Sequence, residues 1–187
     1  MVEVRRHRLL VVPLVREPDA ELPPGVKVRP LREDETGDLP EGLPARTLEW
    51  RLGRGDLVLL AELEGRVVGC CWLCDDPSGD NPYSIPVSRR AGELYGNGLL
   101  VLPEARRRGA GTALLLARNA HARAAGATAV LSHVQPGNLP MLRVHEKLGS
   151  TIREEVFSVI LAQRVRLAVR RPQEPRPRGS AAGSPPV

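Results

Sequence analysis

Apolar positions recur along this chain with two periods, and the change of period marks out its elements. LLVVPLV (9–15) is a short apolar run that reads as an N-terminal strand, followed by Pro-rich REPDAELPPG (16–25). Val26–Leu31 alternates and predicts a second strand. Residues 33–53 tolerate helix but are broken at Pro40 and Pro44, so one or two short helices are expected, with ARTLEWRL the better one. DLVLLAELEGRVVGCCWL (56–73) has two β-rich runs around Glu64-Gly65, a strong hairpin signal. Residues 75–92 carry three prolines and no period, which predicts a long loop. A strand over 93–102 comes next, then a helix over 109–125 stopped at Gly126 and a strand over 127–134. A helix over 138–148 stopped at Gly149 and one or more strands within 151–169 complete the pattern. An antiparallel start followed by strand–helix–strand–helix–strand predicts a mixed α/β sheet. From Pro172 onward the chain has too little apolar surface to bury, and disorder is expected.

Composition narrows the class. At 187 residues, 42% hydrophobic and 26% charged, the chain suits one globular domain with a sizeable core. Six arginines and one glutamate between Arg164 and Arg178 account for the whole net charge of +5. The basic character therefore belongs to a C-terminal segment, and nucleic-acid binding is not expected except through it. Cys70, Cys71 and Cys74 lie too close together for a disulfide framework, and no second Cys pair or nearby His completes a metal site. They are expected to be small thiols filling a buried strand, with no metal, in a cytoplasmic setting. The basic, apolar N-terminus imitates a signal peptide, but its run is short, holds Pro13 and lacks a small-residue cleavage site, so a strand is the expected reading. No stretch is long enough to cross a bilayer.

Residues 99–116, LLVLPEARRRGAGTALLL, place three arginines and Gly-Ala-Gly between an apolar strand and an apolar helix. The first turn of a helix has free N–H groups and the positive end of the dipole, and glycines there let an anion approach. Arg106, Arg107 and Arg108 add positive charge, so a pyrophosphate fits the chemistry. A P-loop would need Gly-Lys-Ser/Thr, and a dinucleotide fingerprint would need a third glycine where Leu114 stands.

The pattern V-x-P-x-x-R-x-R-G-x-G-T, from Val101 to Thr112, resembles motif A of the GCN5-related N-acetyltransferase (GNAT) family. N-x-P-x-x-R-x-x-E-K-L-G, from Asn138 to Gly149, resembles its motif B, and the order of elements agrees over roughly residues 26–163. The resemblance implies a mixed, mostly antiparallel sheet of six to seven strands with splayed central strands and flanking helices. It implies a domain over 26–170, preceded by a strand and Pro-rich lead-in (1–25) and followed by a disordered tail (171–187). It also implies acetyl-CoA as co-substrate: its pyrophosphate over Arg106, Arg107, Arg108, Gly109, Ala110, Gly111 and Thr112, its pantetheine arm along Leu99, Leu100 and Val101, and Asn138 near that arm. Gly96 and Gly98 suit the bulge at which the strand splays.

Acyl transfer to an amine needs a base for the ammonium proton, N–H donors for the oxyanion and a proton for the departing thiolate. The family's thiolate acid is often a Tyr seven residues after the motif-B Asn; here His145 stands there, and Ser150 replaces the usual aromatic after Gly149. A branch that acetylates ribosomal-protein N-termini has a Glu five residues before that Asn, where this chain has His133. Other members place the base on the bulged strand, here Glu93 or Tyr95, which share a face by period two. The candidates rank His133, then Glu93, then Tyr95. The expected activity is transfer of acetyl from acetyl-CoA to a primary amine, small-molecule or peptide, by a monomer or homodimer without a membrane partner. The departures at His145 and Ser150 motivate a second reading, an acyl-CoA-binding module that has lost catalysis.

Overall fold

The computed structural model describes residues 2–15, 22–77, 87–161 and 165–172. Much of the expected loop over 75–92 and nearly all of the expected C-terminal tail lie outside them. Eight strands form one sheet: β1 (Val2–Pro13), β2 (Val26–Pro30), β3 (Leu57–Leu63), β4 (Arg66–Cys74), β5 (Glu93–Val101), β6 (Ala129–Val134), β7 (Thr151–Leu161) and β8 (Val165–Pro172). The helices are α1 (Ala45–Gly53), α2 (Ala110–Ala124) and α3 (Leu139–Lys147), and a 3₁₀ turn covers Glu33–Asp38. The strand order is β2-β3-β4-β5-β6-β1-β7-β8. Eight is one strand above the upper end of the six to seven expected, because Val165–Pro172 pairs antiparallel with Glu154–Leu161 as β8. β8 runs through Arg171 and Pro172, two residues into the segment expected to be disordered.

Only β5 and β6 run parallel, and they pair briefly, from Glu93↔Ala129 to Tyr95↔Leu131. Beyond Tyr95 the two strands diverge. On its other side β5 carries one extra residue relative to β4: Cys70 faces Leu100, but Trp72 faces Asn97. That bulge bends β5 away from its parallel neighbour and opens the sheet at its centre.

The bulge depends on Gly98, which sits at φ +64°. A Cβ there would lie 1.8 Å from the Trp72 ring, so the indole rests directly on the glycine. Above it the Arg51 guanidinium stacks on Trp72 at 4.2 Å from the ring centroid and bonds Asp56 at 2.9 Å. The α1 region thus presses on the bulge through a cation–π stack. Gly98→Ala combines a left-handed backbone with a displaced indole, and a loss on the order of 3 kcal/mol of stability is expected. Urea denaturation measures it, with Gly37→Ala as a control, since nothing lies within 4 Å of a Cβ at Gly37. Equal midpoints for the two variants would show that Trp72 does not hold the bulge.

The α2 helix closes the other face over β2–β6. Its Ala110, Ala113 and Leu114 pack with Leu59, Ala61 and Cys71 in one core cluster, while Leu115 and Leu116 meet Val12 and Leu148 in another. The cysteines behave as the sequence suggests: all three are buried and unpaired by disulfide.

Candidate active site

Two connected clefts open along the splayed strands. The outer, about 640 Å³, lies over the start of α2, and the inner, about 350 Å³, lies where β5 leaves β6; Leu99, Asn138 and Met141 border both.

The outer cleft is built by the chain turn that enters α2. Gly109 is the N-cap at φ +89°, and no side chain caps the first turn. A Cβ at Gly109 would sit 2.4 Å from Pro23, so only glycine lets the loop lie against the segment before β2. The N–H groups of Ala110, Gly111 and Thr112 have no intrahelical acceptors, and no acid among the described residues lines the cleft beside them. Of the expected cofactor-binding residues, Leu99, Leu100, Val101, Arg106, Arg107, Gly109, Ala110, Gly111, Thr112 and Asn138 all border this cleft, and Arg108 does not. Arg108 turns to Glu64 at the β3–β4 hairpin, and the Arg106 Nε donates to the Val101 carbonyl at 3.2 Å. Among the described residues the Arg107 guanidinium has no ion pair, which leaves it the freest of the three charges. Asn138 caps α3, its Oδ1 accepting from the Met141 amide at 3.3 Å. Asn138 is thus a helix cap as well as a residue of the expected cofactor site, and an Asn just ahead of an apolar helix is a cap signal.

The inner cleft brings two of the four catalytic candidates to one wall. His133 and His145 both border it, with Ser132 and the bulge residues Gly96 to Gly98. His133 Nδ1 lies 3.2 Å from the Tyr95 hydroxyl, while its Nε2 is buried without a partner. The His7 ring packs edge-on behind it at 6.4 Å. Burial, helped by His7 and Arg170, pushes the His133 pKa down to about 4. His145 is 1% exposed, its Nδ1 has no partner, and burial followed by the nearby Arg118 charge lowers its pKa to about 3. Both rings are therefore neutral at pH 7. Tyr95 is fully buried and stands one step behind His133.

Glu93 sits elsewhere. It borders neither cleft; Arg153 grips its carboxylate with two hydrogen bonds, one of 2.9 Å, and the Arg90 amide donates to it at 2.7 Å. The Arg153 bonds hold its pKa below the usual carboxylate range and tie it to the β7 side of the sheet, away from both clefts. Burial pushes the Cys70 and Cys71 thiols up to about 12, which withholds a thiolate at neutral pH. Among the cleft residues the sequence did not single out are Trp72, Arg118 and Ser132. Arg118 did leave a signal, since it shares an apolar α2 stripe with Leu114 and Ala122, four residues to either side.

Comparison with known proteins agrees with this architecture. Residues 27–150 match the model of the acetyltransferase (GNAT) family. The chain is 31% identical over 159 residues to a mycothiol acetyltransferase of Saccharomonospora viridis, covering 74% of this chain and 50% of that protein. It is also 31% identical over 168 residues to a mycothiol acetyltransferase of Thermobispora bispora, covering 79% and 52%. The chain thus spans about half the length of the curated relatives it matches. A GCN5-related N-acetyltransferase from Sphaerobacter thermophilus superposes with a TM-score of 0.58 at 23% identity, over 83% of this chain and 50% of that one. A Salmonella typhimurium protein solved with its cofactor acetyl-CoA gives 0.51 at 20% identity, over 67% and 79%. No helix among the described residues is long and apolar enough to cross a membrane. With a family match over most of its length, the splayed sheet and the Gly109 cradle, this chain belongs to the GNAT acetyltransferase family.

Proposed function

We propose that the chain transfers the acetyl group of acetyl-CoA to a primary amine of a small molecule or peptide. The observation that carries this reading is the cradle itself: a helix start with free amides, glycine at its cap and Arg107 without an ion pair among the described residues, opening straight into the cleft between β5 and β6. The pyrophosphate rests on the amides of Ala110 to Thr112, flanked by Arg106 and Arg107. The pantetheine arm follows Leu99 to Val101, whose backbone the bulge frees from β6. The thioester then reaches the inner cleft, where backbone N–H groups of the bulged strand meet the developing oxyanion.

His133 is the proposed base. The residue lines the inner cleft, its buried Nε2 has no hydrogen-bond partner among the described residues, its ring is neutral at pH 7, and Tyr95 meets its Nδ1. His145 is proposed to serve the leaving thiolate through a neutral ring N–H, since imidazolium is not available at its depressed pKa. Transfer is direct, because Cys70 and Cys71 border neither cleft and burial keeps both thiols protonated at neutral pH. The enzyme names of the curated relatives favour catalysis over a module that only binds acyl-CoA.

The reading is tested by titrating acetyl-CoA into the protein calorimetrically, then following thiol release with polyamines, aminoglycosides, peptide N-termini and lysine peptides in turn. Absence of acetyl-CoA binding would overturn it. His133→Gln is expected to lower thiol release in the presence of the best amine by roughly a hundredfold or more, the usual worth of a general base. Acetyl-CoA affinity should change less than about threefold. Undiminished turnover would move the base elsewhere.

A further inference from the structure

A guanidinium lies at the inner end of the cleft with no carboxylate beside it among the described residues. Arg118 is 1% exposed, on the α2 stripe that otherwise packs Leu114 and Ala122. Its head lies flat beneath Gly96, where a Cβ would come within 2.5 Å of Nη1. Its hydrogen bonds go to neutral groups and are long: Nη1 to Ser132 Oγ at 3.3 Å, Nη2 and Nε to Asn119 Oδ1 at 3.2 and 3.4 Å. Among the described residues it meets no carboxylate. The groups able to become anions that act on it are Cys71, whose thiol stays protonated with its pKa near 12, and the Tyr95 phenol. Among the described residues no acid borders the inner cleft, and both histidines on its wall are uncharged. The wall therefore carries one uncompensated positive charge. A buried charge without a counterion is costly to hold, and that cost is recovered when an anion arrives.

A second observation lies on the same wall. His145 Nδ1 is buried and has no partner, so a hydrogen-bonding group is available beside the guanidinium. The pyrophosphate does not answer this charge: Arg118 stands seven residues beyond Gly111, about 10 Å along the α2 axis from the cradle.

We propose that the inner cleft binds a carboxylate at Arg118, so that the ligand completed there carries a negative charge close to the reacting carbonyl. This rests on reading the cleft as the site of acyl transfer. Two sources share the chemistry: the distal carboxylate of a dicarboxylic acyl-CoA, or the carboxylate of an amino-acid acceptor. In either case the planar guanidinium gives the carboxylate parallel N–H donors, and Ser132 Oγ, which already donates to the Gly96 carbonyl at 2.8 Å, keeps the guanidinium in place.

Two measurements on the full chain separate the sources. Calorimetry compares succinyl-CoA with acetyl-CoA. Thiol release at fixed acetyl-CoA compares free α-amino acids with their amides. A preference of at least tenfold for the carboxylate in one of the two supports the proposal and names the source. Arg118→Gln should reduce that preference below threefold. Ser132→Asp should do the same by supplying an internal counterion, and it serves where Arg118→Gln melts below the assay temperature. Equal affinities together with equal turnover of acids and amides in the wild-type protein overturn the proposal, whatever the variants do. If neither CoA ester binds, the acyl-transfer reading fails, and titration of free succinate against succinamide decides the carboxylate site alone.

Discussion

Gly111→Asp is expected to weaken acetyl-CoA binding at least a hundredfold while leaving the fold in place. Gly111 lies in the first turn of α2, on the wall of the outer cleft. A Cβ there would meet only Leu99 and Val101 side chains at 3.5 and 3.7 Å, ordinary contact distances, and its φ is not left-handed. The substitution is thus tolerated locally, unlike one at Gly109, where Pro23 blocks a side chain. What it changes is the ligand's approach. The new carboxylate occupies the space in front of the free amides and repels the phosphates they would receive. Each lost hydrogen bond to a charged group costs about 1.5–3 kcal/mol. Losing two is worth at least roughly a hundredfold, since ~1.4 kcal/mol is tenfold. Calorimetric titration into the folded variant measures it, with thermal melting as the control for folding. Wild-type affinity would place the phosphates elsewhere and remove the main support for the proposed activity.

The cradle and the local elements were legible in the sequence because each rests on neighbours in the chain. The hairpin around Glu64-Gly65 needs only two apolar runs and a turn, and both residues do take positive φ, at 52° and 75°. The α2 start needs only a strand, a Gly-rich turn and an apolar helix. The place of β1 was not legible. Its strand character shows in its apolar run, but it pairs with β6 on one side and β7 on the other, partners more than 100 residues away. Nothing local chooses them.

Chemistry at the inner cleft was legible to the same degree. His133 falls at the end of the strand expected over 127–134, and in the structure it lines the inner cleft beside Tyr95. Period two set Glu93 and Tyr95 on one face, yet only Tyr95 is near the cleft. Arg153, sixty residues on, claims the Glu93 carboxylate, and β7 brings that cation across the sheet. Ion-pair partners separated so far in sequence leave no spacing to read. The depressed histidine pKa values are invisible for the same reason, since burial is set by the packing of β1, β5, β6 and α3 together.

Those two histidines give the second large effect, acid sensitivity of the fold above the range in which carboxylates titrate. In the unfolded chain a histidine titrates near 6.5, whereas in the fold His133 and His145 titrate near 4 and 3. Between those values the unfolded chain holds more protons than the folded one, so the free energy of unfolding falls as pH falls. The stabilisation from keeping both rings neutral is complete above about pH 6.5 and drains away below it. Each ring loses about 1.4 kcal/mol per pH unit in that window, so near pH 4.5 the two together approach 5 kcal/mol. That is of the order of the whole stability of many domains. Buried His7, whose pKa is also lowered by burial, acts in the same direction. Glu93 and Glu155 do not confuse the window: arginine partners lower their pKa values, and their contribution disappears only below the ordinary carboxylate range. Urea midpoints from pH 7.5 to 4.5 should therefore fall steeply in the wild-type protein. The decline should become much shallower in the His133→Gln, His145→Gln double variant, which removes both titrations. A wild-type profile that stays flat down to pH 5 would mean that the two rings are solvated, and that the inner cleft is far more open than this packing of β5, β6 and α3 makes it.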